Sequence, residues 1–294
     1  MAVAHWLLAV LCRFALSGYS AHVAGVYGEV QNLGSLVIRL VFWPIETAAF
    51  RAFSVDPAAA AAEDAAQRVA LLRALHRFMI VLAAVPLIFG PRYALPAVHM
   101  LLAARWSTSE APALLATYAS TLVFLAVNGV MEAYAHARMS STALMRSSAF
   151  LATVAAIHAS SIYVARASFG ENCHILVMLD AASMALRIAY AYRFVVHLHP
   201  GAATHWRLWL PAPASGAVLA AAAGLLQLSE NRMWQKLGPQ GDLVDVLHSQ
   251  RLPRAMLVHV GVGAGVLVLL ILALLRTERD LVARVRTLLK PHTS

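Results

Sequence analysis

Asn32, Arg39 and Glu46 follow one another at seven-residue steps through an otherwise apolar stretch, Val26 to Ala48. Two turns of an α-helix take about 7.2 residues, so on a helix the three would share one face, with Ser35 in the row between. The pattern recurs twice. In AVNGVMEAYAHARM, Asn128 and Glu132 are four apart with His136 one turn further on, and in VMLDAASMALRIAYAYRF, Asp180, Ser183 and Arg187 share a face by i, i+3 and i+7 spacing. The chemistry open to these groups is binding. The guanidinium groups of Arg39 and Arg187 suit an anion, with Glu46, Glu132 and Asp180 as resting counter-ions, while Asn32, Ser35 and Asn128 offer hydrogen bonds to hydroxyls. The same residues allow a structural reading in which the stripes pair as interhelical glue, Arg39 with Glu132 or Asp180 and Arg187 with Glu46 or Glu29. His158 and His259 read as ordinary buried or interfacial histidines.

Bond-making chemistry finds little support. There is no GxxxxGK[ST] loop, which excludes ATP-driven transport by this chain, and no HExxH or Ser/His/Asp signature stands out. Cys12 and Cys173 have neither a CxxC spacing nor a histidine at ligand spacing, so they read as packing residues. We therefore expect no enzyme, no cofactor and no metal.

The elements that must carry these stripes follow from composition. Of the 294 residues 61% are hydrophobic and 13% charged, with a mean hydropathy of +0.69. Those values belong to an integral membrane protein. Apolar runs of membrane-spanning length, rich in Leu, Ala and Val and without strand alternation, favour an all-α bundle over a barrel. Seven spanning helices are expected, at 24–50, 69–90, 112–136, 145–166, 172–196, 209–228 and 254–275. Turn-like connections include Gly90 to Pro96 and Ser229 to Pro253, and the alanine run after Ser54 reads as an interfacial helical connector. The chain divides into a short N-terminal segment, 1–20, that reads as a partial or interfacial helix, a bundle over 21–275, and a basic tail over 276–294.

The net charge of +9 comes from arginines scattered between apolar runs, without a basic helix or aromatic platform, so a membrane surface explains it better than nucleic acid. The tail from Arg276 to Lys290 falls on the same side as Arg51, Arg68, Arg138, Arg193 and Arg207. Arg92, Arg105, Arg166, Arg232, Lys236 and Arg251 fall on the other, which puts the C-terminus in the cytosol.

At this resolution of detail the residues become recognisable. GVYGEVQNLGSLVIRLVFWPIETAAF closely resembles the signature helix of the Rft family, matching it at Val26, Tyr27, Asn32, Leu33, Gly34, Ser35, Leu36, Val37, Arg39, Leu40, Phe42, Pro44, Ile45 and Glu46. A second segment is similar at Asn128, Gly129, Val130, Glu132, Met139 and Ser140, and a third at Met184, Arg187 and Ile188. The resemblance implies the C-terminal lobe of a two-lobed flippase of the multidrug/oligosaccharidyl-lipid/polysaccharide exporter type, in the endoplasmic reticulum membrane. Its implied substrate is dolichol-diphosphate-linked oligosaccharide, moved from the cytosolic to the luminal leaflet for N-glycosylation. The likeness starts near Ala21 and covers the second half of the usual chain, so the expectation is a truncated product whose N-terminal half would be a partner. Three other readings remain open: a non-transporting factor that contacts N-glycosylation enzymes, a small-molecule exporter coupling ions through Glu132 or Asp180, and a truncated, inactive half-transporter.

Overall fold

The computed structural model describes residues 18–54, 62–102, 104–200, 209–237 and 253–283. The expected elements in Met1 to Ser17, the alanine run up to Ala61, most of the connection before Pro253 and the tail from Arg284 onward lie outside the described residues. The described elements are all helical. They are α1 (Ala21–Val37), a π-helical turn π1 (Ile38–Phe42), α2 (Trp43–Phe53), α3 (Ala62–Leu101), the short α4 (Ala104–Ser107), α5 (Ala111–Arg138), α6 (Ser141–Phe169), α7 (Cys173–Leu198), α8 (Pro213–Leu237) and α9 (Arg254–Thr277).

Six helical segments among the described residues are long and apolar enough to cross a membrane: the continuous α1–π1–α2, most of α3, then α5, α6, α7 and α9. The seventh expected span exists as the helix α8 but is not among them. Its middle is alanine and glycine where the others carry Leu, Ile and Val, and polar residues follow from Gln227 onward.

Helix starts follow local capping chemistry. Ser20, Ser140 and Asn172 cap α1, α6 and α7, their side-chain oxygens accepting from the backbone N–H of Val23, Ala143 and His174; such a cap stabilises a helix by about 1 kcal/mol. Gly170 ends α6 at φ +68°, where a side chain would be strained.

One sequence expectation gives way to membrane physics. The Gly90 to Pro96 stretch is no turn: α3 continues through Pro86, Pro91 and Pro96 to Leu101. Leaving the helix inside hydrocarbon would orphan several backbone groups, a larger cost than the bond each proline removes. Gly90 serves packing instead, because a Cβ there would collide with Ala119 of α5. In the first span, Pro44 has no N–H for Leu40 and its ring crowds that carbonyl. The chain answers with a wider turn, and the N–H of Trp43 bonds back to Ile38, five residues away.

Helix α5 is the centre of the bundle, flanked by α1–α2, α3 and α7, with Leu114, Leu122, Met131 and Tyr134 fully buried. The Tyr134 ring meets Phe53 edge-on at 4.9 Å. Small residues bring the backbones close, Gly34 making room for Tyr118 and Gly263 for Tyr93. A second apolar cluster of Val81, Leu226, Val266, Leu270 and Leu274 joins α3 to α8 and α9. At its end the buried Glu278 accepts from Arg77 at 2.8 Å, the backbone of Ala212 at 2.9 Å and Ser215 at 2.7 Å, tying three elements to one carboxylate.

Candidate functional site

The first span, α5 and α7 enclose two cavities that meet end to end. One of about 530 Å³ is lined by Asn32, Ser35, Tyr118, Thr121, His158 and Asp180 among others. The next, about 560 Å³, is lined by Trp43, Glu46, Asn128, Gly129, Glu132 and Arg187 among others. Ile38, Leu125 and Met184 border both, so together they form one polar groove along the helix interface.

In the first cavity Asp180 is the central charge. It accepts the Tyr27 hydroxyl at 2.6 Å and faces the buried His158 ring at 3.1 Å. Ser183 turns back to the Asp180 carbonyl at 2.8 Å. At the outer edge, Arg39 folds along its own helix, donating to the side chain of Asn32 at 3.2 Å and the carbonyl of Ser35 at 3.4 Å. Arg39 itself is exposed and lines neither cavity.

The second cavity is built differently. Arg187, 7% exposed, holds Glu132 in a two-pronged bond, Nε to Oε1 at 2.7 Å and Nη2 to Oε2 at 2.6 Å. This geometry is the strong form of a guanidinium–carboxylate pair. Glu46 approaches α5 over Gly129, where a Cβ would overlap its carboxylate. Among the described residues no hydrogen-bond donor reaches the Glu46 carboxylate. Asn128 is only 5% exposed and its Oδ1 is likewise without a partner. Two acceptors therefore face this cavity unsatisfied, beside the rings of Trp43 and Phe50 at its lip.

Seven of the eight residues singled out from spacing line the groove, and Arg39 stands one hydrogen bond outside it. The single stripe does not survive intact. Asn32 and Arg39 do share a face, but the extra residue in π1 turns Glu46 about 100° away from them and onto α5. The expected ion pairs are also redistributed. Arg187 takes Glu132, Arg39 takes Asn32, and Asp180 takes Tyr27 and His158, because pairing follows which helices are neighbours and spacing along one helix cannot reveal that. Spacing missed His158, which lines the groove, and Tyr27, which lines neither cavity but donates to Asp180. His158 is a lone imidazole on an apolar helix, and Tyr27 lies off the Asn32 face, so only its place in the Val-Tyr pair of the signature marked it.

Among the described residues no cluster of three or more His, Cys, Asp or Glu could hold a metal ion.

The chain is similar to a Man(5)GlcNAc(2)-PP-dolichol translocation protein RFT1 of Candida glabrata, 26% identical over 73% of this chain and 38% of that protein. The protein of that name from Mus musculus is 29% identical over 59% of this chain and 33% of its own length. The Saccharomyces cerevisiae protein is 26% identical over 60% and 30%. The chain thus spans about a third of the length of these relatives. No solved structure matches it. A family model described as Rft protein matches residues 10–288, nearly the whole sequence. This chain is a multi-pass membrane protein, and it belongs to the Rft protein family.

Proposed function

We propose that the groove between the first span, α5 and α7 binds the polar end of a lipid-linked oligosaccharide, Man(5)GlcNAc(2)-PP-dolichol, as it crosses the endoplasmic reticulum membrane for N-glycosylation. The relatives carry that translocation in their names. The observation that carries the reading is the pair of unsatisfied acceptors, the Glu46 carboxylate and Asn128 Oδ1, facing one cavity. Buried polar groups are nearly always paired, so Asn128 Oδ1 awaits a donor, and the half-buried Glu46 carboxylate beside it can take a second. Sugar hydroxyls are such donors, and the neighbouring Trp43 and Phe50 supply faces on which a pyranose can rest.

Charge divides the work along the groove. Glu132 neutralises Arg187, so the cation of the second cavity is already taken and is not free for a diphosphate. Arg39, exposed at the edge of the first cavity, is the cation left for the diphosphate. The polyprenyl tail stays in lipid beside the open face. Nothing in this chemistry breaks a bond, so the role is transport and not catalysis. We place the chain's bundle over 21–275.

Reconstitution tests the reading directly. Proteoliposomes holding the chain and a Man(5)GlcNAc(2)-PP-polyprenol reporter in one leaflet should move the reporter, and Arg39→Gln should slow the movement at least tenfold. Reporter that stays in place while still binding the chain would favour the accessory-factor reading, and reporter that neither moves nor binds would overturn the proposal.

A further inference from the structure

A third cavity lies far from the groove, between α8 and α9, with a volume of about 390 Å³. Its existence follows from how α8 divides its residues. Gln227, Glu230, Asn231 and Trp234 sit at i, i+3, i+4 and i+7 and hydrogen-bond one another, while Gln227 accepts from Arg92 of α3. The face beside them carries Leu225, Leu228, Arg232 and Lys236, spaced i, i+3, i+7 and i+11. Opposite stand Val258 and Val262 of α9, with buried Met233 and the hydrogen-bonded pair Ser229–His259 on the floor.

Leu228 is 57% exposed and Val258 61%, so the walls of the groove are apolar and open. Its end is not. Arg232 and Lys236 both line the groove, and neither has a hydrogen-bond or ion-pair partner among the described residues, Glu230 being engaged on the other stripe. From Leu225 to Lys236 the helix rises about 16 Å, close to one leaflet of hydrocarbon. Loop charges assign these cations to the side opposite the tail, where topology does not call for them.

We propose that the α8–α9 groove binds an anionic phospholipid. The headgroup phosphate sits between Arg232 and Lys236, and one acyl chain lies along Leu225, Leu228, Val258 and Val262. Two cations without a partner among the described residues, at the end of an apolar groove, select a negative headgroup over a zwitterionic one. The site is independent of the translocation reading, because it shares no residue with the groove described above.

The test uses the full chain in nanodiscs of phosphatidylcholine with a minor fraction of phosphatidylserine or phosphatidylinositol, followed by quantification of lipid retained after detergent washing. The wild type should retain the anionic phospholipid in excess over phosphatidylcholine. R232Q/K236Q should lose that excess by roughly tenfold or more, and the charge-keeping R232K/K236R should preserve it. V258W, which fills the groove without touching charge, should also lose retention. An excess unchanged in R232Q/K236Q, no preference over phosphatidylcholine, or stronger retention of an added polyprenyl phosphate would each overturn the proposal.

Discussion

A bidentate pair such as Arg187 with Glu132 is stable as a pair and costly when halved. Arg187→Gln or Glu132→Gln alone leaves a buried charge uncompensated, a loss of about 3 to 5 kcal/mol; thermal unfolding in detergent should show a large drop for either single variant. The double variant Arg187→Met/Glu132→Leu should recover much of that stability while failing to support transport. Asn128 behaves in the opposite way. Its Oδ1 stabilises nothing in the fold, so Asn128→Leu should leave thermal stability near wild type or raise it and yet weaken oligosaccharide binding. A fall in stability without loss of binding would contradict the assignment. At this scale the sequence was informative about kinds of residue and silent about partners. Spacing collected Asn128 with Glu132 and Asp180 with Arg187, but which carboxylate meets which cation depends on helix neighbours separated by tens of residues.

The elements add constraints that no single residue carries. Pro44→Ala restores an N–H to the first span and lets π1 relax to regular α-helix, which would carry Glu46 about 100° away from α5. That variant should accumulate normally yet lose function in a strain lacking its own family protein; undiminished rescue would show that the wide turn is dispensable. Gly129→Ala presses on Glu46 and should cost about 1 to 3 kcal/mol, with the loss relieved by adding Glu46→Ala. Beyond the end of α7, Tyr134 and the His199 imidazole Nε2 lie 2.6 Å apart, and burial, helped by the charges of Arg138 and Arg68, lowers the His199 pKa from its ordinary 6.5. A depressed histidine contributes stability above pH 6.5 that is lost as pH falls through its folded pKa. Thermal stability should therefore drop from pH 7.5 to 5.5, and His199→Gln should flatten that slope. Helix positions were legible because hydrocarbon forces apolar runs into helices. The π turn and the unbroken course of α3 through its prolines were not, since both depend on what packs alongside, Ala119 against Gly90 above all.

For the whole molecule, α5 gathers the first span, α3 and α7 around itself, and α8 and α9 lean on α3 as an outer layer. The all-α bundle was readable from composition, and the family from its signature residues; a groove made of two adjoining polar cavities was readable from neither, because it arises only where several spans meet. The most direct test of that groove is site-specific photocrosslinking to a radiolabelled Man(5)GlcNAc(2)-PP-polyprenol, with a photoreactive residue placed at Trp43 or Ser35 and, as a control on the exposed face of α6, at Tyr163. Crosslinks at positions 43 and 35 that are competed by unlabelled glycolipid, and none above background at 163, are the expected result. Equal labelling at all three positions, or labelling at 163 alone, would contradict the groove as the binding site.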